Sequence, residues 1–332
     1  MNELPPIVFL LLAFTAVGST AWLLGRRSIP VRRVRLPRDY LSALDHLVNE
    51  RFDLATEVIE RLASTRAEQA DIQFALGSLF RRRGEVARAS AVHERLRESS
   101  VTAVREQATY ELALDYLAAG LFDRAERYLE QSATSRAFRD RALDRLTWLY
   151  EQQRDFASAL RIWYEMPLDM RDNRADTAAH YLCELAEQAL REGAIERVKN
   201  LLDEARFHDP DSARAALLEA RVARRTGTIA EARSAWRRAF LASPTLQSAF
   251  LEEALQGARD EERDAFLASL PHPAGGNQQA DRTVNRFRCT ACGLESDAWQ
   301  WRCPSCRNWD TLALREPLNS LPWTPSRSRL SR

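Results

Sequence analysis

The residues best suited to chemistry are four cysteines near the end of the chain, in RFRCTACGLESDAWQWRCPSCRNWDTLAL: Cys289-x2-Cys292, ten residues, then Cys303-x2-Cys306. Each CxxC offers two thiolates from one tight turn, and two such turns close a tetrahedral S4 site around one metal ion. A segment of about thirty residues has too little core to fold alone, whereas structural zinc contributes an apparent ~10–16 kcal/mol of binding free energy. Zinc suits a closed structural site; a mononuclear iron suits the same ligands and would carry an electron. The expectation is one metal ion, zinc before iron, on Cys289, Cys292, Cys303 and Cys306. Trp299, Trp301 and Trp309 are expected to pack around the knuckles, with one or more of them against the rest of the protein.

No other residues assemble into a reaction centre. The histidines, His46, His93, His180, His208 and His272, are scattered, and none belongs to an HExxH pair. His180 and Cys183 share a helical face at i, i+3, a spacing met far more often in ordinary packing than in a catalytic dyad. There is no glycine-rich phosphate loop and no GxSxG elbow. Asp and Glu alternate with Arg as solvated helix faces do. The chain reads as no enzyme, with no catalytic residues.

The elements that must position the ribbon are helical. A small residue recurs five positions after a turn residue, at Ala55, Ala89, Ala125, Ala159, Val198 and Ala232, with spacings of 34, 36, 34, 39 and 34. Thirty-four is the period of the tetratricopeptide (TPR) repeat. Twelve positions before each lie Ala43, Gly77, Ala113, Thr147, Ala186 and Ala220, small enough to let two helices approach closely. Pro210 and Pro244 fall where the pattern ends a helix. Six repeat units are therefore expected over residues 38–270, with Thr245 to Leu270 capping the last apolar face. Tyr116, Tyr150, Trp163 and Trp236 are expected to pack between helices. A solenoid of this kind leaves a concave surface suited to protein segments.

Before the repeats, Leu4 to Leu24 runs 21 residues without a charge, eleven of them Leu, Ile, Val or Phe. That length crosses ~30 Å of hydrocarbon as a helix. The apolar residues favour insertion by about 5 kcal/mol before the polar ones subtract. A cleaved signal peptide would need a basic start, whereas Asn2 and Glu3 lead and Arg26, Arg27, Arg32, Arg33, Arg35 and Arg38 follow. The positive side stays in the cytoplasm, which predicts an anchor over 1–25, a periplasmic N-terminus and a cytoplasmic body beyond a basic segment, 26–37. After the repeats, the composition of PHPAGGNQQAD marks a linker, 271–284; the ribbon spans 285–315, and a Pro, Ser and Arg-rich tail, 316–332, is expected to be disordered.

The net charge of +1 gives no global field toward nucleic acid, and only Lys199 among 48 basic residues is a lysine. Around the knuckles Arg288, Arg302, Arg307 and Arg315 are opposed by Glu295, Asp297 and Asp310, a weak basis for nucleic-acid binding.

An anchor ending in GRR, the stretches LGSLFRRRGEVARA, DYLAAGLFDRAE and AHYLCELA, and the ending WRCPSCRNW together resemble the lipopolysaccharide assembly protein B family of Gram-negative bacteria, over nearly the whole chain. The stretch between the sixth repeat and the ribbon is shorter than in that family. The resemblance implies an all-α TPR solenoid with a transmembrane helix and a rubredoxin-like metal ribbon that docks back on the repeats. It implies an inner-membrane adapter promoting degradation of the lipid A pathway deacetylase, LpxC, by the membrane-bound protease FtsH. The four cysteines match the family's metal ligands. A generic TPR scaffold for other envelope-assembly proteins is the alternative.

Overall fold

The computed structural model describes Thr15 and residues 38–65, 69–270 and 287–314. Apart from Thr15, the expected membrane span, the basic segment 26–37, the linker 271–284 and the tail 316–332 lie outside the described residues. Among the described residues no helix is long and apolar enough to cross a membrane.

The chain divides into two compact units, residues 1–99 and 100–332. The first holds two helix pairs, α1 (Arg38–Val48) with α2 (Phe52–Thr65) and α3 (Ala70–Arg82) with α4 (Val86–Arg97). The second holds α5 (Thr102–Ala118) with α6 (Phe122–Ala133), α7 (Arg139–Gln153) with α8 (Phe156–Glu165), α10 (Ala175–Arg191) with α11 (Ile195–His208), and α12 (Ala213–Arg225) with α13 (Ile229–Ala242). A five-residue helix, α9 (Leu168–Asp172), intervenes between α8 and α10, and its five residues account for the one spacing of 39. The described residues thus hold six helix pairs between Arg38 and Ala242.

The repeat is held at its turns. Glu50, Gly84, Gly120, Arg154, Gly193 and Gly227, each five residues before its second-helix small residue, all take the left-handed conformation. In each turn the N–H of this residue and that of the next bond back to carbonyls of the preceding helix, as with Gly84 N to Arg81 O and Glu85 N to Phe80 O. This Schellman arrangement satisfies carbonyls that the helix end would orphan. Four of the six positions are glycine, which has no Cβ to oppose that conformation; Glu50 and Arg154 carry the strain instead.

All twelve small residues named from the sequence are buried, one on each helix of every pair. In the first unit a Cβ on Gly77 would lie 2.3 Å from Nε2 of His93, a fully buried ring stacked on Phe74 at 5.9 Å. The unit's core is Ala43, Ala55, Ile59, Leu76, Leu79, Phe80, Ala89 and Val92 with their neighbours.

In the second unit two apolar clusters follow one another along the chain. One gathers Leu112, Leu129, Leu143, Leu146, Leu149 and Ile162; the other gathers Leu182, Leu202, Leu217, Leu218, Trp236 and Phe240. Tyr116, Tyr150, Trp163 and Trp236 are buried between helices, as expected. The helices α14 (Thr245–Leu255) and α15 (Asp260–Ala268) close the second cluster with Leu246, Phe266 and Leu270.

Two substitutions test this geometry by thermal and denaturant unfolding of the chain. Gly77→Ala forces the His93 ring off its seat and is expected to destabilise by about 1–3 kcal/mol. Arg154→Gly relieves the left-handed strain and is expected to stabilise by about 1 kcal/mol.

Candidate metal centre and its seat on the solenoid

The ribbon is a three-stranded antiparallel sheet in the order β2-β1-β3, built from β1 (Phe287–Cys289), β2 (Glu295–Ser296) and β3 (Leu312–Leu314). Phe287 pairs with Ser296 on one side and Leu314 on the other, and Cys289 with Leu312. Its own buried core is Phe287, Cys289, Cys303 and Leu312. Two of those four are cysteines of the site, so a core this small cannot hold the sheet without what the thiols bind.

The two knuckles have the same backbone design. Cys289 N bonds Leu294 O and Gly293 N bonds Cys289 O; Cys303 N bonds Asn308 O and Arg307 N bonds Cys303 O. Gly293 and Arg307, each directly after the second cysteine of its knuckle, take positive φ, +79° and +65°. Arginine thus does in the second knuckle what glycine does in the first.

The four Sγ atoms lie within 4.8 Å of one another, with Cys289 to Cys306 at 3.6 Å and Cys292 to Cys303 at 3.7 Å. A tetrahedron with ~2.3 Å metal–sulfur bonds has edges of ~3.8 Å. No cysteine among the described residues is in a disulfide.

Electrostatics in the cluster favour thiolate at one knuckle. Burial opposes ionisation of Cys289, but the Thr311 hydroxyl, 3.3 Å away, and the N–H groups of Cys292 and Ala291 outweigh it and hold the thiol at about 6. The Leu294 N–H lowers Cys292 as well. Cys306 goes the other way: the Asn308 N–H favours its thiolate, while burial and the facing sulfurs of Cys289, Cys292 and Cys303 push it up. Four thiolates this close repel one another until a cation neutralises them, which is what a metal site requires.

The ribbon sits on the first helices of the last three repeats. Trp309 stacks on His180 of α10, with ring centroids 4.7 Å apart and planes within 8°. His180 Nε2 lies 2.8 Å from Asp310 Oδ2. Arg302 donates to the Glu151 carbonyl at 3.0 Å and to its carboxylate at 2.7 Å, at the end of α7. The hydroxyl of Tyr181 donates to the same carboxylate. Burial first, and then Glu151, raise the Tyr181 pKa far above the ordinary phenol range.

On α12, Arg214 is only 2% exposed and donates to Glu184 at 2.9 Å and Glu187 at 3.0 Å. Burial works against its charge, and the two carboxylates outweigh it. Its guanidinium carbon lies 5.5 Å from the Trp301 ring and 5.7 Å from Trp309. Stacking of this kind suits Arg because its delocalised charge is weakly hydrated. All three tryptophans therefore reach the solenoid, with Trp299 also edge-on to Phe287 inside the ribbon.

His180, assigned to packing from its spacing alone, is a docking residue for a segment 130 positions away. Its neighbour Cys183 is fully buried and its thiol is pushed up to about 12 by desolvation. A thiol so placed stays protonated at neutral pH and is no nucleophile.

Fold and site together define a TPR solenoid carrying a four-cysteine, zinc-ribbon type metal-binding site. Family models agree: a tetratricopeptide repeat matches residues 40–100 and a rubredoxin metal binding domain matches residues 287–313. The chain is similar to lipopolysaccharide assembly protein B of Escherichia coli strain K12, 26% identical over 379 aligned positions that cover 92% of this chain and 97% of the relative. The Haemophilus influenzae protein of the same name is 24% identical at the same coverages. The resemblance read from the residues is thereby shown. An alignment of 379 positions exceeds the 332 residues of the chain, so the relative has segments with no counterpart here. Among solved structures, the C-terminal part of a TPR repeat-containing protein from Cytophaga hutchinsonii is 12% identical, at TM-score 0.46 over 72% of this chain and 96% of that one.

Glu151→Ala removes the carboxylate that accepts from both Arg302 and Tyr181, leaving Arg302 only its carbonyl acceptors. Loss of the counter-charge is expected to weaken docking by about 1–3 kcal/mol, read as faster hydrogen exchange in α10 and α12 with the metal content unchanged.

Proposed function

We propose that this chain is a membrane-anchored adapter in lipopolysaccharide assembly that promotes degradation of the deacetylase LpxC by the protease FtsH. The observation that carries the reading is the similarity to lipopolysaccharide assembly protein B over 92% of the chain, with the two modules of fold in the same protein. An adapter needs surfaces, not a reaction centre, and the described residues offer repeats with a second small domain seated on them. The anchor over residues 1–25 would hold the body at the cytoplasmic face of the inner membrane, beside a membrane-bound protease. The domain limits follow the sequence reading: repeats 38–270, linker 271–284, ribbon 285–315.

In this proposal Cys289, Cys292, Cys303 and Cys306 ligate one metal ion, zinc before iron. The donor set and the short sulfur–sulfur distances support it. When bound, the metal supplies structural cross-linking of the two knuckles. The chain's own residues do the rest: Arg302, Trp309 and Asp310, brought together by the second knuckle, hold the ribbon on α7 and α10. Metal analysis of the purified chain is expected to give one equivalent, colourless if zinc and visibly absorbing if iron, with Cys303→Ser/Cys306→Ser losing it.

The functional test is the half-life of the deacetylase in cells with the chain, without it, and with Cys303→Ser/Cys306→Ser. Stabilised deacetylase in the deletion and the variant is the expected result. An unchanged half-life in the deletion would reduce the protein to a membrane TPR scaffold for another assembly.

A further inference from the structure

Among the described residues the ribbon leaves part of the α7 face exposed, and two arginines there meet no carboxylate. On α7, Glu151 takes the ribbon's Arg302. One turn steps back along the same stripe of the helix reach Trp148, then Arg145 and Asp144, then Arg141. The repeat register places Arg141 on the ribbon-bearing face independently. Arg141 lies six residues before Thr147, as His180 lies before Ala186 and Arg214 before Ala220, and both of those meet the ribbon's tryptophans.

The acidic members of the stripe are already engaged. Asp144 is paired with Arg174 at 2.6 Å, and Glu151 with Arg302. Arg145 and Arg141 are exposed and meet no carboxylate among the described residues. Arg141 is nonetheless held in place, its guanidinium 4.6 Å from the Tyr110 ring and 5.6 Å from Phe138, two rings themselves stacked at 5.3 Å. A guanidinium fixed by aromatic stacking still presents its N–H fork, and little side-chain entropy remains to be lost when a carboxylate arrives. Trp148, 39% exposed, supplies an apolar platform on the same stripe.

We propose that the α7 stripe of Arg141, Arg145 and Trp148 binds an acidic, extended protein segment, continuing the interface that the ribbon begins. The two arginines are four residues apart on a helix, about 6 Å along its axis. Alternate residues of an extended strand are about 6.6 Å apart. The segment therefore carries acidic side chains at alternate positions, followed by an apolar side chain that lies on Trp148. The chain's own tail, EPLNSLPWTPSRSRLSR, has one acidic residue against three arginines and is repelled by this surface. The proposal gives the adapter a surface for a second chain, but its binding test stands apart from deacetylase turnover.

The test is fluorescence anisotropy on the full chain with a labelled peptide of pattern Asp-x-Asp-x-Phe, its Asn-x-Asn-x-Phe counterpart, the tail peptide and a short oligothymidylate. Saturable binding of the acidic peptide is expected, weakened about tenfold or more by Arg145→Glu and by Arg141→Glu. Trp148→Ala weakens it through the Phe, and Arg237→Glu on α13 leaves it unchanged. Arg145 is exposed, so circular dichroism of its variant should match the parent; if it does not, Arg145→Gln carries the same test. Equal binding of the Asn peptide, indifference to Arg145→Glu, or tighter binding of the tail or the oligonucleotide would overturn the proposal.

Discussion

Close approach of two helices, permitted by a small side chain on each, is the constraint from which the rest of this protein follows. Every repeat repeats it, from Ala43 against the Ala55 helix to Ala220 against the Ala232 helix. It fixes which faces of the first helices look inward and which remain for other use. In the second unit that remaining face is where Glu151, His180 and Arg214 stand, each from a different repeat. A surface of this kind needs no loop to shape it, because the helix spacing has already done so.

The ribbon uses that surface with unusual side chains. Beside the apolar packing of its tryptophans, its contacts include ion pairs and π-stacks, with Arg214 buried against two indoles and Arg302 shared between a carbonyl and a carboxylate. Charged groups removed from water this far gain only when their partners are all present. The seat is therefore selective: an apolar segment would leave Arg214 and Glu151 without the stacks and the fork they meet here.

The repeats were legible because small residues and left-handed turns leave a near-fixed interval in the sequence, and the five-residue helix α9 explains the longer of the two intervals that exceed 34. The ribbon was legible because thiol spacing is set by ligand geometry. The ribbon's seat could not be derived from spacing. His180 and Asp310 are 130 residues apart, and nothing in the local pattern of AHYLCELA separates a stacking partner from an ordinary core histidine. The only signal was an excess: three tryptophans within eleven residues, more than so small a core can bury. Glu50, Arg154 and Arg307, at positions that favour glycine, were equally silent, since strain of about 1 kcal/mol is absorbed wherever the surrounding hydrogen bonds fix the turn.

Between Trp301 and Asp310 the residues that touch the solenoid and the thiols of the second knuckle alternate within a single hairpin. Such interleaving makes the two events thermodynamically reciprocal. Whatever free energy the solenoid contributes by holding Arg302, Trp309 and Asp310 in place is returned as tighter affinity for the ion, about tenfold for each 1.4 kcal/mol. The helices are in that sense a remote part of the coordination sphere: the same ribbon cut from its repeats would be a weaker chelator with identical ligands.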